Sequence, residues 1–151
     1  MPGPTVTLSS VVVRLARDIR TALDQQFGVF GLTSQQAAVL IHVHLGQSTP
    51  RRIADLVGTD TAGMTRLLDR LEAKGLLRRH PDGGDRRAVV VALTDDGSAL
   101  IPHLPPVFER VGAVAAAGIA AQDLDTTTRV LRTMLDQVAG VGPAERAGRQ
   151  R

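Results

Sequence analysis

The sequence contains no cysteine, no tryptophan and no tyrosine, and it has only three phenylalanines. The lack of cysteine excludes disulfides, thiolate metal sites and a thiol redox switch. No apolar run approaches the roughly 18–20 residues that a membrane-spanning helix needs. The first residues also lack the basic stretch followed by an apolar one that marks a signal peptide. These absences predict a cytoplasmic protein with no membrane partner.

Motifs for catalysis are also missing. There is no nucleophile elbow, no glycine-rich phosphate loop before a helix, and no recognisable pair of carboxylates. We therefore expect a protein that is not an enzyme and that needs no cofactor. A length of 151 residues with 43% apolar side chains predicts one globular domain, with a core and room for an oligomer surface.

Basic residues are concentrated in one window. Residues 51–87 hold nine basic and six acidic side chains, so this window carries the +3 net charge of the whole chain. All but one of its basic residues are arginines, which suit forked contacts with phosphate and guanine. The bias is compatible with nucleic-acid binding and also with a solvated surface of mixed charge.

Apolar spacing and capping residues predict a mainly helical chain with one small β-hairpin. A capping box formed by Thr33 and Gln36 is the clearest helix start. The first two predicted helices cover residues 7–30 and run from the Thr33 cap to Gly46. The third is capped by Thr49, starts at Pro50 and ends at Gly58, and the fourth covers residues 60–74, capped by Thr59 or Asp60 and ended by Gly75. The predicted strands of the hairpin are Leu76–His80 and Arg87–Leu93.

Two further helices are predicted beyond the hairpin. Thr94 caps a long helix with Asp95 and Asp96 in its first turn, where acids suit the helix dipole. Prolines should interrupt this helix, which resumes through Val107 and onward to Ile119. Asp123 caps the last helix, and residues 140–151 are predicted to form a flexible tail. The interrupting prolines are Pro102, Pro105 and Pro106, and the inward side chains of the last helix are Leu124, Leu131, Met134, Leu135 and Val138.

The predicted helix over residues 60–74 has two contrasting faces. One face is apolar and would dock on the preceding helices, and the other is polar and basic. A helix about 10–12 Å across fits the major groove of DNA. Two short helices joined by a glycine turn and followed by a hairpin are the parts of a winged helix-turn-helix. A solvated amphipathic helix is the alternative. The apolar face holds Met64, Leu67, Leu68 and Leu71, and the polar face holds Ala62, Arg66, Asp69 and Arg70 with Thr65 at its edge.

The hairpin tip combines two glycines with Asp85, Arg86 and Arg87. A glycine-tipped hairpin can reach the minor groove, whose narrow, negative interior attracts an inserted arginine. Asp85 would repel the DNA backbone, so we expect it to pair with Arg87 or with an arginine of the preceding helix and stiffen the loop. Arg86 is then left to enter the groove.

The run DRLEAKGLLRR at 69–79, followed by DRRAVVVALT at 85–94, resembles the MarR family of winged helix-turn-helix bacterial transcription regulators. The similarity covers roughly Leu32 to Leu100. It implies a homodimer in which residues 7–30 and 95–139 form intertwined dimerisation helices. Each subunit would offer residues 33–94 as a DNA-binding lobe to half of a palindromic site.

The resemblance also implies which side chains contact DNA. It makes Arg86 the minor-groove residue, with Asp85 and Arg87 organising the wing. Many members have arginine, serine and threonine in the first turn of the recognition helix, where this chain has Thr61, Ala62 and Gly63. The predicted contacts outside the wing are Thr61, Ala62, Thr65, Arg66 and Arg70 on the recognition helix, with Arg51 and Arg52 on the helix before it.

A dimer also has support from the residues themselves. The first helix, the second half of the long helix and the last helix carry more apolar surface than the small central lobe can cover. Burial of that surface at about 25 cal/mol per Å² favours a partner subunit. A closed monomeric helical bundle is the alternative.

A small-molecule pocket between the dimerisation helices and the DNA-binding lobe is implied by the resemblance alone. The scarcity of aromatic residues argues against a large aromatic effector. His42 and His44 lie two apart on a helix and point about 200° away from each other, so they cannot bind one ion together. One of them could still bind an ion with His103 or with an acid from elsewhere, but we expect no metal site. The candidate pocket residues are Phe27, Phe30, His42, His44, His103 and Phe108.

The sequence therefore predicts a homodimeric repressor that binds a pseudo-palindromic operator in the bacterial nucleoid and is released by a small molecule. Two other functions stay open at this point. One is a protein-interaction module on a winged-helix scaffold, and the other is a ligand- or metal-sensing dimer. Both would show little or no specific DNA binding.

Overall fold

The computed structural model describes residues 3–84 and 88–139, apart from the side chains of residues 4–6. The described chain is mainly α-helical with one two-stranded antiparallel sheet. The elements in order are α1 Pro4–Phe27, a 3-10 turn Gly28–Phe30, α2 Ser34–His44, α3 Pro50–Val57, α4 Thr61–Ala73, β1 Leu77–Pro81, β2 Val89–Leu93, α5 Asp95–Leu100, a 3-10 turn Ile101–His103, α6 Pro105–Ala116 and α7 Ala121–Ala139.

The start of α2 confirms the predicted capping box. The Gln36 backbone N–H donates to Thr33 Oγ1 at 3.2 Å, and the Thr33 N–H donates to Gln36 Oε1 at 3.1 Å. At α3 the prediction is only half right, because Thr49 occupies the N-cap position but its side chain makes no capping hydrogen bond. Pro50 at the first helical position needs no such partner for its own nitrogen, since proline lacks an N–H.

One apolar core holds helices α1–α6 and the hairpin together. The predicted inner face of α4 is confirmed, since all four of its apolar residues are buried. They belong to one cluster of buried apolar side chains, and full burial of a leucine or methionine side chain stabilises the fold by about 1.5–3 kcal/mol. The largest fully buried side chains are Phe27, Leu40, Ile53, Met64, Leu71, Leu77, Leu104 and Val39.

The hairpin pairs Leu77 with Leu93 at one end and Pro81 with Val89 at the other. The first strand thus lies one residue further along the chain than predicted, and the second begins at Val89 and, as predicted, ends at Leu93, while Arg87 lies outside the described residues. One hydrogen bond also reaches the sheet from another segment, because the Val91 N–H donates to the Ser48 carbonyl at 2.9 Å. The contact connects the middle of β2 to the loop between α2 and α3.

Thr94 joins the base of the hairpin to α5. Its hydroxyl accepts from the Gly97 N–H at 3.0 Å and donates to the Gly75 carbonyl at 2.6 Å. A Cβ atom at Gly97 would lie 1.9 Å from the Leu76 carbonyl oxygen. Because the backbone fills that space, position 97 accepts only glycine without a shift of the main chain.

The helices beyond the hairpin differ from the prediction in several details. The proline interruption is confirmed, because a 3-10 turn at Ile101–His103 separates α5 from α6. However, α6 ends at Ala116, with Gly118 at a φ of 77°, so Ile119 lies outside the helix. Asp123 is in the first turn of α7 and not its cap, because the helix already begins at Ala121.

The described chain divides into two compact units, which meet between Gly112 and Ala113. In the second unit none of the α7 residues is buried in the single chain. Leu124, Leu131 and Met134 are half-buried, whereas Leu135 and Val138 are each 69% exposed. The inward direction predicted for these side chains is therefore not satisfied within one subunit.

No single helix among the described residues has both the length and the apolar content to cross a bilayer. The segments 95–116 and 121–139 pass such a test only when they are counted together as a bent pair.

Candidate nucleic-acid interface

Helix α4 presents a polar face above its buried apolar face. Asp60 begins the helix, with its Oδ1 accepting from the Gly63 N–H at 2.6 Å. This bond satisfies one of the backbone donors that a helix start leaves without a partner. The predicted contact residues on this helix are all exposed to solvent, namely Thr61, Ala62, Thr65, Arg66 and Arg70.

Gly63, in the first turn of α4, lies directly beneath the side chains of Thr59 and Asp60. A Cβ atom there would lie 2.1 Å from Thr59 Oγ1 and 3.0 Å from Asp60 Oδ1. The capping geometry at Asp60 therefore uses the space that a larger residue would fill. Glycine at position 63, which differs from the common family pattern, therefore leaves room for the side chain of Thr59.

The contact residues fall into two groups around α4. Arg51 of α3 lines a cleft of about 580 Å³ together with Thr61 and Thr65. Arg66 and Arg70 line a smaller cavity of about 160 Å³ with Gln35 of α2. Arg52 and Ala62 are exposed but line neither cavity. Gln35 was not predicted, because nothing in its local sequence shows that α2 begins beside the basic face of α4.

The described part of the hairpin loop is exposed to solvent. Residues 80–84 are all exposed, and the Asp82 N–H donates to the Ala88 carbonyl at 2.8 Å. The Gly84 N–H donates to Asp82 Oδ1 at 3.3 Å. Asp85, Arg86 and Arg87 lie outside the described residues, so their roles in the wing stay predictions. His80, on β1, is exposed.

Arg79 joins the hairpin to α4. Its guanidinium lies 2.6 Å from Asp69 Oδ1 and 2.7 Å from Glu72 Oε2, and it also donates to the Thr65 carbonyl at 3.2 Å. The Arg79 backbone N–H donates to Glu72 Oε1 at 3.2 Å. The side chain is 27% exposed, so solvent screens these pairs only in part. Sequence reasoning missed this residue, although two acids three apart on a helix before a basic strand were a usable signal.

The residues predicted for a ligand pocket are only partly brought together. Phe27 is buried against Phe108, with ring centroids 4.9 Å apart, and Phe30 stacks on His103 at 6.2 Å. His42 is half-buried and His44 is exposed. A cavity of about 220 Å³ does lie among α1, α2, α3 and α6, and Phe108 is the one predicted residue that lines it. Its other lining residues are Ala16, Ile19, Arg20, Leu23, Ser34, Gln35, Ala38 and Val57.

No histidine of the predicted set belongs to a metal-binding cluster in the part of the chain that the structure describes. No group of three or more His, Cys, Asp or Glu side chains is close enough to hold an ion there.

Comparison with known proteins agrees with this geometry. The MarR family profile matches residues 30–88, which run from the last residue of the 3-10 turn after α1 through α4 and β1 and end just before β2. Transcriptional regulator PA3341 has a solved structure that matches with a TM-score of 0.77 and 29% identity, over 88% of this chain and 98% of that one.

Two further solved structures share the fold. A mutant MarR from E. coli complexed with operator DNA matches with a TM-score of 0.78 and 23% identity, over 87% of this chain and 95% of that one. The PcaV transcriptional regulator from Streptomyces coelicolor, in complex with its natural ligand, matches with a TM-score of 0.69 and 27% identity, over 81% of this chain and 89% of that one. Over residues 30–88 the chain thus matches the MarR family profile, and its winged helix-turn-helix is similar in fold to the solved MarR and PcaV regulators.

Proposed function

We propose that this protein is a transcription regulator that binds double-stranded DNA as a homodimer. Each subunit places α4 in a major groove and its hairpin against the adjacent minor groove. The exposed polar face of α4, held rigidly above four buried apolar side chains, is the observation that carries this proposal. Threonine and arginine on such a face donate hydrogen bonds to base edges and phosphates.

The two groups of contact residues suit different parts of the duplex. Thr61, Thr65 and Arg66 lie in the first half of α4, the end of a recognition helix that meets base edges in the major groove. Arg51 and Arg52 start α3 and are exposed, so they are placed to contact the phosphates that flank the groove. Phosphate contacts fix the register, and base contacts carry the sequence information.

The homodimer rests on apolar side chains that one subunit leaves uncovered. In the first unit Val11 and Val13 of α1 are exposed, and in the second unit Val114, Leu135 and Val138 are exposed. A soluble protein seldom leaves such helices uncovered, and burial against a second copy removes this surface from water. A two-fold dimer presents two α4 helices to successive major grooves about 34 Å apart, which predicts a pseudo-palindromic operator.

Repression with release by a small molecule is the mode of regulation that we propose. An occupied operator blocks transcription, and a ligand that prefers another dimer geometry lowers operator affinity. The cavity of about 220 Å³ in the first unit is smaller than a typical drug-sized pocket of about 300–1,000 Å³, so a compact effector suits it. The natural-ligand complex of the similar PcaV regulator supports an effector. We place the protein in the bacterial cytoplasm and assign it no catalytic activity.

Footprinting the purified protein on the DNA upstream of its own gene tests this proposal. We expect a protected site with two half-sites about one helical turn apart, and a random duplex of equal length should compete poorly. Absence of protection, together with weak binding that salt does not change, would instead favour a protein-interaction or ligand-sensing dimer.

A further inference from the structure

Lys74 is the single lysine among the 18 lysine and arginine residues of the chain. It follows the last helical residue of α4 as the C-cap, where its backbone N–H donates to the Arg70 carbonyl at 3.1 Å. A positive side chain at this end of a helix interacts favourably with the helix dipole. The ammonium group of Lys74, however, points away from α4 toward the start of α2.

The ammonium of Lys74 binds the start of α2. It donates to the Gly31 carbonyl and to Gln36 Oε1, the latter at 3.0 Å. Gln36 is only 2% exposed, and the same oxygen accepts from the Thr33 N–H at 3.1 Å. Both lone pairs of this buried carbonyl are therefore used. One of its donors belongs to the α2 capping box, and the other is on the recognition helix.

The start of α2 is held from the opposite side by α1. The Ser34 N–H, in the first turn of α2, donates to Asp24 Oδ1 at 2.7 Å. Hydrogen bonds thus connect Lys74 of α4 to Gln36 and Gln36 to Thr33, and the next residue along the chain, Ser34, is hydrogen-bonded to Asp24 of α1. We call these five residues the α1–α2–α4 linkage.

We infer that Lys74 is a positioning residue for DNA recognition. It fixes the carboxyl end of α4 to the same α2 turn that Asp24 fixes to α1, and so it sets the direction of α4 relative to the dimerisation helix. This inference rests on the proposed function, in which α1 pairs with a second copy and two α4 helices must match successive grooves. Lys74 itself contacts no DNA in this arrangement.

Lysine suits this place for a chemical reason. An ammonium is a compact point charge with three donors, so it can approach two oxygens that belong to different elements. The planar guanidinium of arginine is larger and fixes the directions of its donors. We therefore expect Lys74→Arg to restore only part of the function that Lys74→Met loses.

The main experiment measures affinity for the footprinted operator and for a random duplex, using full-length Lys74→Met well below its melting temperature. We expect about a tenfold loss on the operator, a change of less than about twofold on random DNA, and an unchanged salt slope. Arg110→Met is the matched control, because it removes one exposed positive charge of α6 outside the linkage, and it should leave operator affinity unchanged.

A double-mutant cycle tests whether the linkage acts as one unit. Asp24→Ala should also weaken operator binding, and Asp24→Ala with Lys74→Met should lose little more than the larger single loss, since coupled groups are not additive. Additive losses would overturn the linkage. If Lys74→Met lost operator and random affinity equally, with a slope shallower by about 0.9, Lys74 would be a phosphate contact. Full operator affinity in folded Lys74→Met would leave it a stabilising residue only.

A measurement without DNA separates this inference from the proposed function. In an amide NMR spectrum, Lys74→Met should shift the signals of Thr33 and Ser34 and of the α1 residues around Asp24. Changes confined to the neighbours of position 74 would overturn the linkage even if operator binding were established. If the wild-type protein bound the operator no more tightly than a random duplex, the proposed function would fail. The NMR result would still decide whether Lys74 positions α4 against α1.

Discussion

Arg79 and Asp69 form an ion pair with a nitrogen–oxygen distance of 2.6 Å, and this contact joins the first strand of the hairpin to the recognition helix. Glu72, one turn further along α4, holds the other guanidinium nitrogen at 2.7 Å. The hairpin and α4, the two elements of the lobe that we propose contact DNA, are therefore joined to each other by one side chain. Their relative position does not depend on the hairpin strands alone.

Replacing Arg79 with methionine should loosen the hairpin without unfolding the lobe. The loss of stability should be about 1 kcal/mol, since the pairs are partly exposed and partly screened. Amide hydrogen exchange at Asp82 and Val91 should become faster than in the wild type. Arg78→Met is the matched control, because Arg78 lies on the same strand and is exposed, and it should leave these exchange rates unchanged. Equal effects of the two variants on these exchange rates would contradict the claim that Arg79 holds the hairpin against α4.

Arg66→Ala tests whether α4 reads base edges. If Arg66 contacts a base, operator binding should weaken by about 1–3 kcal/mol while binding to a random duplex changes much less. Fluorescence anisotropy on both duplexes measures the difference, with Arg132→Ala on α7 as the control for loss of one charge. An equal loss on both duplexes would make Arg66 a phosphate contact.

Arg86→Ala tests the wing prediction, which concerns a residue outside the described part of the chain. Removal of a minor-groove arginine should lower operator affinity, because the narrow groove attracts its positive charge. The same anisotropy titration measures this loss. Unchanged operator affinity would show that the tip of the hairpin does not enter the groove.

A glycine-to-alanine variant tests the junction between the hairpin and α5, and a second one on α6 serves as its comparison. Gly97→Ala places a methyl group 1.9 Å from the Leu76 carbonyl oxygen, so it should destabilise the fold by about 1–3 kcal/mol. Gly112→Ala, in an open position on α6 with nothing within 4 Å, should instead stabilise it by about 0.5–1 kcal/mol. Urea unfolding of both variants measures the two signs. A neutral Gly97→Ala would show that the junction has room to adjust.

The sequence predicted the elements of this fold better than the contacts between them. The capping box of Thr33 and Gln36 was predictable because it is encoded within four residues, and the buried face of α4 because apolar spacing marks it. Lys74 was missed because its partners lie on another element and no local pattern encodes them, whereas Arg79 was missed although the two acids three apart on α4 were a usable signal. Asp123 was misassigned because an acid suits both the cap and the first turn of a helix.

The dimer can be tested through an exposed leucine of α7. Leu135 is 69% exposed in one subunit, and we expect it to be buried between two subunits. Leu135→Asp should raise the dimer dissociation constant at least about tenfold, since burial of a leucine contributes about 1.5–3 kcal/mol. Leu45→Asp, at a 66% exposed site outside the predicted dimerisation helices, is the control. Sedimentation velocity should show monomers only for Leu135→Asp, and a monomeric wild type would contradict the proposal.

A salt titration of operator binding by the wild-type protein decides whether the lobe that carries α4 and the hairpin binds DNA. With six to ten neutralised phosphates, the logarithm of the binding constant should fall with the logarithm of salt concentration at a slope of about −5 to −9. The operator should also stay preferred over a random duplex throughout the titration. A slope near zero, or no preference for the operator at any salt concentration, would contradict a DNA-binding regulator built on α4 and the hairpin.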